Sequence, residues 1–155
     1  MKQEWKAIKI TSGKEERVKA ALDELGIRSF APIITVKERK KGEWIETKRY
    51  LLPGYILIYI NWTAELYHTL KEMWYVLYPL AGSVSQSEVD YLVQYEEFAD
   101  CAAIDYSGEW VRYSGPIAVA PERILKVDKR KGRVLLKFQL GENETKRWLP
   151  VKIKK

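Results

Sequence analysis

Basic side chains cluster near the C-terminal end of the chain in a pattern that could bind phosphate groups. One run of cations spans residues 129–133, and a second adjoins a tryptophan. The candidate residues are Lys126, Lys129, Arg130, Lys131, Arg133, Lys146, Arg147 and Trp148. Arginine binds phosphates in a bidentate manner and can reach guanine edges, while tryptophan can stack on an unpaired base. The alternatives are a solvated turn and a tryptophan that plugs a barrel.

The charge balance along the chain also favours contact with a polyanion. The 155 residues carry a net charge of +6, from 27 basic and 21 acidic side chains. Residues 1–106 have a balance of −2, whereas residues 107–155 hold 13 Lys and Arg against 5 Asp and Glu, a balance of +8. A small basic segment joined to a larger, near-neutral one predicts two modules with different partners.

Residue types that catalysis or metal binding usually needs are scarce. The chain has one histidine, His68, and one cysteine, Cys101, which lies among small apolar residues. It contains no glycine-rich phosphate loop and no zinc-binding motif. We therefore expect a protein that is not an enzyme and that binds no cofactor or metal ion. The lack of a long apolar run or a signal sequence further predicts a reduced, cytoplasmic, soluble protein with no membrane partner.

The N-terminal two thirds alternate between strand and helix patterns. Residues 5–10 alternate as a strand, and Ser12 with Glu15 forms a capping box that predicts a helix. Residues 33–39 and 44–50 flank a charged turn and predict a hairpin. The six apolar residues of Tyr55–Ile60 predict a strand, either buried on both faces or buried on one and exposing an apolar patch on the other.

Two further helices and an edge strand follow. Thr63 is a predicted N-cap, residues 76–84 form a predicted edge strand, and Ser85 with Glu88 forms a second capping box. Together these elements predict an α+β module with helices beside a mostly antiparallel sheet.

The remaining residues predict a small β-barrel. The helical pattern fails at residues 101–107, which we interpret as a linker. Short strands are expected at residues 109–113, 123–128, 133–140 and 145–153, separated by glycine-containing turns. In residues 133–140 an apolar side chain occupies every second position, which places these side chains on one face and favours a stable strand.

Three segments resemble the NusG family of transcription elongation factors. They are residues 5–18, the run Leu52-Pro53-Gly54-Tyr55-Ile56-Leu57, and Ser87-Glu88-Val89. The resemblance implies a NusG-type N-terminal domain over residues 1–100 that binds RNA polymerase. It also implies a KOW domain with an SH3-like barrel over residues 108–155, joined by the linker at 101–107.

The resemblance further implies which residues would contact polymerase. Carried over by position, Tyr55, Leu57 and Leu80 would meet the clamp helices of the largest subunit. His68 and Thr69 stand where specialised members of the family carry a His-Thr pair that meets the opposite gate loop. The alternatives are core positions for the strand residues and an ordinary surface histidine in the helix.

The C-terminal segment departs from the usual family pattern, because Glu122 replaces a glycine typical of the KOW motif. With its balance of +8, the segment is more similar to that of the LoaP-type paralogues, which act as processive antiterminators. This implies a monomer that binds polymerase and a structured hairpin in nascent RNA. The alternative is a ribosome-associated or general RNA-binding protein that acts through its basic barrel.

Overall fold

Contacts within the chain define two compact units, each assembled from segments that are distant in sequence. A computed structural model describes the backbone of residues 3–155, and the side chains of that range apart from those of Glu38 and Asp100. The first unit comprises residues 3–32, 52–89 and 139–144, and the second comprises residues 33–51, 90–138 and 145–155. The two modules predicted in chain order are therefore not the same segments as these compact units.

Strands and three helices are interspersed up to residue 105, and the chain is mostly short strands thereafter. The helices are α1 (Glu15–Glu24), α2 (Ala64–Glu72), α3 (Gln86–Phe98) and the single-turn α4 (Pro116–Val119). The strands are β1 (Glu4–Ile10), β2 (Arg28–Phe30), β3 (Ile33–Lys40), β4 (Glu43–Tyr50), β5 (Tyr55–Ile60), β6 (Val76–Pro79), β7 (Ala103–Asp105), β8 (Arg112–Ser114), β9 (Ile124–Asp128), β10 (Arg133–Leu140), β11 (Asn143–Pro150) and β12 (Lys152–Lys154). This confirms the predicted α+β class, with C-terminal strands consistent with a small KOW-like barrel. Among residues 3–155, no helix combines the length and apolarity needed to cross a lipid bilayer.

The first unit is built on an antiparallel sheet of order β2-β5-β1-β6. The uninterrupted apolar sequence of β5 suits its inner position between β2 and β1. Ile56 and Ile58 are completely buried, and α1 packs on β5 and β2 with Val18 and Leu22 in the core. The predicted edge strand is present as β6, which lies at the margin of the sheet beside β1.

Two of the three predicted helix caps form as expected. The Thr63 hydroxyl accepts the Leu66 N–H at 3.1 Å, and the Ser85 hydroxyl accepts the Glu88 N–H at 3.2 Å. The Ser12 cap is wrong, because α1 begins at Glu15 with Lys14 in the capping position.

The Glu15 carboxylate explains the later start of α1. It is 2% exposed and accepts the Gly13 N–H at 2.6 Å and the Gly54 N–H at 3.3 Å. Glu15 thereby ties the start of α1 to the turn that precedes β5, and this long-range contact has no local sequence signal.

The second unit contains three small sheets. They are the β3–β4 hairpin, the antiparallel β11-β10-β9 sheet, and the β12-β7-β8 sheet in which β12 and β7 are parallel. On β10 the predicted alternation is confirmed, since Val134, Leu136, Phe138 and Leu140 are buried.

The chain from residue 99 onward differs from the sequence prediction in several places, among them the unpredicted helix α4 and the strand expected at 109–113, which is β8 at Arg112–Ser114. The segment interpreted as a linker contains a 3₁₀ turn, Ala99–Cys101, and strand β7. The predicted strand at residues 145–153 is divided at Val151, whose N–H donates to the Gly132 carbonyl at 2.9 Å. The Lys152 N–H then donates to the Ala102 carbonyl at 3.0 Å, and β12 pairs with β7.

The β10–β11 turn packs within the first unit, and Gly141 is essential to that contact. The Glu142 N–H donates to the Ala81 carbonyl at 2.8 Å, and the Gln139 N–H donates to the Glu88 carboxylate at 2.8 Å. A Cβ on Gly141 would lie 2.2 Å from the Ala81 oxygen, which is far inside van der Waals contact.

We therefore expect Gly141→Ala to be much more destabilising than Gly26→Ala. The two glycines have nearly identical backbone angles, with φ of +70° and +71°, but a Cβ on Gly26 would meet nothing within 4 Å. Gly26→Ala should lower the free energy of unfolding by about 1 kcal/mol, because alanine is strained in the left-handed conformation. Gly141→Ala should cost about 2 kcal/mol more, because the turn must move away from Ala81. Urea unfolding of both variants measures the difference, and equal midpoints would contradict the contact.

Candidate functional site

Strand register places one lysine between two tyrosines on a face of the first sheet. Lys9 of β1 lies opposite Tyr55 of β5 and also opposite Tyr78 of β6. Directly paired residues project to the same face, so the three side chains form a row, hereafter the tyrosine row. The Lys9 ammonium lies 4.2 Å from the centre of the Tyr55 ring. Tyr55 is half-buried and Tyr78 is 51% exposed.

The other two strand residues that the resemblance assigns to polymerase contact are buried. Leu57 is 2% exposed and pairs with Ala7 on one side and Phe30 on the other. Leu80 is 6% exposed. The expectation that Leu57 projects outward is therefore not met, and the accessible aromatic surface on this face comes from the tyrosine row and from the half-buried Tyr59.

Tyr78 is the residue on this face that sequence reasoning missed. The sequence placed it in an edge strand but contained no signal for its register against β1. A bulge between Lys9 and Ile10 shifts the pairing, so that Lys9 faces Tyr78 while Ile10 faces Val76. The Lys9–Tyr78 pair depends on β6 becoming the neighbour of β1, which no pattern within either strand specifies.

His68 and Thr69 lie on the exposed side of α2. Both are exposed, while the adjacent Leu70 is completely buried. The Thr69 hydroxyl donates to the Glu65 carbonyl at 3.0 Å, and the His68 ring stands edge-on to Tyr67 with centroids 5.9 Å apart. Because α2 starts at Ala64, this pair lies in the second helical turn, with the imidazole accessible to a partner.

The β9–β10 turn of the second unit presents three exposed cations, Lys129, Arg130 and Lys131, hereafter the basic turn. Its backbone is held in place, because the Lys131 N–H donates to the Asp128 carboxylate at 3.0 Å. The Gly132 carbonyl is fixed in turn by the bond from Val151. Lys126 is also exposed, on the strand leading into the turn. The backbone of the basic turn is thus held by hydrogen bonds while its three charges stay exposed, and the Lys129 ammonium lies 4.0 Å from the centre of the Tyr106 ring.

Arg133 connects the basic turn to Trp148. Its guanidinium carbon lies 4.4 Å from the centre of the Trp148 ring, and its Nε lies 3.6 Å from an Asp128 carboxylate oxygen. Trp148 is half-buried, whereas its neighbour Leu149 is 2% exposed. The tryptophan therefore does not fill the core, and a base approaching this face would meet the Arg133–Trp148 pair.

Arg147 does not join this group. Successive side chains point to opposite faces of a strand, so Arg147 projects from the face of β11 opposite to Lys146 and Trp148. Its buried Nε has no hydrogen-bond partner among the described residues. Burial, and to a lesser degree the nearby charge of Arg49, lowers the pKa of Arg147. The structure thus unites the basic turn, Arg133 and Trp148, and leaves Arg147 apart from them.

Comparison with known proteins identifies the family. The family model described as "Transcription termination factor nusG" matches residues 3–93. The transcription termination/antitermination protein NusG of Chlamydia pneumoniae is 30% identical over 89 residues, a match that covers 52% of this chain and 49% of that protein. The matched region thus spans about half the length of this curated relative.

A solved structure, "Domain interaction in Thermotoga maritima NusG", resembles the whole chain in fold. It is 20% identical, with a TM-score of 0.53, and the match covers 97% of this chain and 94% of that one. At this identity the similarity concerns the fold alone. Because the family model covers more than half of the chain, the protein belongs to the NusG family of transcription termination and antitermination factors.

Proposed function

We propose that the protein is a specialised NusG paralogue that promotes processive antitermination by binding RNA polymerase and a structured element of nascent RNA. The observation that carries this proposal is the tyrosine row. It begins at the Pro53-Gly54-Tyr55 motif and presents aromatic surface on one face of the antiparallel sheet. Tyrosine side chains are enriched in protein-binding surfaces.

The polymerase contact is assigned to the tyrosine row, with His68 and Thr69 as a second contact on the gate-loop side. Tyr55 and Tyr78 offer rings that are accessible without unfolding the sheet, whereas Leu57 and Leu80 are buried. The clamp helices of the largest subunit remain the proposed partner of this face.

The RNA contact is assigned to the basic turn together with Arg133 and Trp148. A regular A-form duplex hides its base edges in a deep, narrow groove, so the proposed ligand is a hairpin with a loop, bulge or distorted groove. The turn supplies point charges for phosphates. The Arg133–Trp148 pair supplies a flat surface for an unpaired base.

Replacing both Tyr55 and Tyr78 by alanine should weaken polymerase binding about 10- to 100-fold, because buried aromatic anchors dominate such interfaces. Biolayer interferometry with purified core polymerase measures this loss. Trp74→Ala is the matched control, since Trp74 is 83% exposed and lies outside the sheet. Its affinity should equal that of the wild type.

Unchanged polymerase affinity in the double variant would contradict the assigned surface. Capture of ribosomal particles in place of polymerase by the wild-type protein would favour the general RNA-binding alternative.

A further inference from the structure

The β3–β4 hairpin carries an exposed tryptophan that no part of the proposed function uses. The hairpin, hereafter the β3–β4 arm, spans residues 33–50 and forms a two-stranded sheet of its own. Its base packs on the Ala99–Cys101 turn, and Ile34 and Val36 are buried there. Trp44, near the tip, is 70% exposed.

Strand register separates the arm into two faces. The buried Ile34 and Val36 lie on one face, and their partners Arg49 and Thr47 share it. The opposite face, hereafter the outer face, contains the pairs Thr35↔Lys48, Lys37↔Glu46 and Arg39↔Trp44. All six of these side chains are exposed.

The outer face places two cations and one carboxylate near its aromatic ring. Arg39 lies directly opposite Trp44, and Lys37 follows two positions away, about 7 Å along the strand. Lys48 lies on the partner strand, and Glu46 is the one acidic residue among the six. Two cations, Arg39 and Lys37, and one carboxylate, Glu46, therefore lie nearest the ring on this face, and Ile45 lines the same cavity as Trp44.

The charge of the β3–β4 arm also differs from that of the sequence around it. Residues 33–50 hold six basic and three acidic side chains, a balance of +3. The other residues of the segment 1–106 have a balance of −5. Positive charge is thus concentrated on a narrow, projecting element, as expected for an electrostatic contact with a polyanion.

We propose that the outer face of the β3–β4 arm binds single-stranded nucleic acid, with a base stacked on Trp44 and phosphates held by Lys37, Arg39 and Lys48. An exposed aromatic ring beside cations that follow the backbone is the arrangement that binds unpaired strands with little sequence preference. The site goes beyond the proposed function, because it lies on a different element from the basic turn and requires no folded hairpin.

The test uses the full chain and two fluorescent oligonucleotides, oligo(dT) and oligo(U), each of about 12 nucleotides, a length within the range of single-strand binding sites. Fluorescence anisotropy in about 50 mM salt gives the affinities, and a salt series gives the slope. Trp44→Ala should reduce the affinity about tenfold without changing the salt slope. Trp44→Phe should retain most of the affinity, because it keeps an aromatic ring for stacking. Replacing Arg39 and Lys48 by alanine should instead reduce the slope by about 1.4. The two oligonucleotides distinguish DNA from RNA as the preferred strand.

Two controls make the result specific. Trp110→Ala removes another exposed tryptophan, 78% accessible, and Lys71→Ala removes an exposed lysine from α2. Both should bind like the wild type.

The proposal is overturned if Trp44→Ala also binds like the wild type, or if Trp110→Ala loses as much affinity. It is equally overturned if sedimentation shows a dimer that Trp44→Ala dissociates, since a second copy would then occupy the face. Variants of the basic turn report separately on the RNA hairpin, so failure of one site leaves the other measurable.

Discussion

Leu57→Asp is expected to unfold the protein rather than to detach it selectively from a partner. Leu57 is 2% exposed, in a strand between β1 and β2 and opposite Ala7 and Phe30. A carboxylate in that position would lose its hydration without gaining an opposite charge. The expected cost of about 4 kcal/mol or more is a large fraction of the stability of a small protein. Urea unfolding followed by circular dichroism measures this loss.

Comparison with Leu57→Asn and Tyr55→Ala shows how much of the lost stability comes from the buried charge. Asparagine has nearly the shape of aspartate without the charge, so Leu57→Asn should be destabilising by about 2 to 4 kcal/mol. Tyr55→Ala, at a half-buried position on the same strand face, should cost about 1 to 2 kcal/mol. If Leu57→Asp kept the wild-type unfolding midpoint and lost polymerase affinity, Leu57 would itself be part of the docking surface.

The second large effect is expected from the basic turn. Replacing Lys129, Arg130 and Lys131 together by alanine should weaken binding of a bulged RNA hairpin about 10- to 100-fold near physiological salt. It should also reduce the slope of log affinity against log salt by about 2 to 3, because each cation that neutralises a phosphate releases counterions. The fold should persist, since the three side chains are exposed. Gel-shift titrations over a range of salt concentrations measure both quantities.

A charge-matched control separates local contact from general electrostatics. Arg17, Lys19 and Lys71 lie on α1 and α2 of the first unit, so their replacement by alanine removes the same net charge from another place. That variant should keep the hairpin affinity and most of the salt slope. Equal losses in the two triple variants would show that binding follows net charge alone, and the assignment of the basic turn would fail.

Several features of the fold could be predicted because their causes are local. The alternation of apolar residues in β10 determines which side chains face the core, and the structure confirms it at Val134, Leu136 and Phe138. Thr63 and Ser85 cap their helices because the donors they satisfy lie three residues away. Ser12 failed as a cap for the opposite reason, since Glu15 binds the distant Gly54 N–H.

The candidate site was less predictable, because equivalent positions in a pattern can have different surroundings. Tyr55 and Leu57 share a strand face, so period-two alternation cannot distinguish them. One is nevertheless half-buried and the other fully buried. Tyr78 joined the site through its pairing with Lys9 of β1, which depends on which strands become neighbours.

The sequence by itself determined the family motif, the α+β order of elements and the concentration of positive charge toward the C-terminus. These properties depend on composition and on residues close together in the chain. The tertiary structure alone decided that Lys9 would lie between Tyr55 and Tyr78, and that Arg133 would cover Trp148 while Arg147 faced away. Such juxtapositions depend on strand order, register and the pairing of distant segments, and no periodicity within a single segment specifies them.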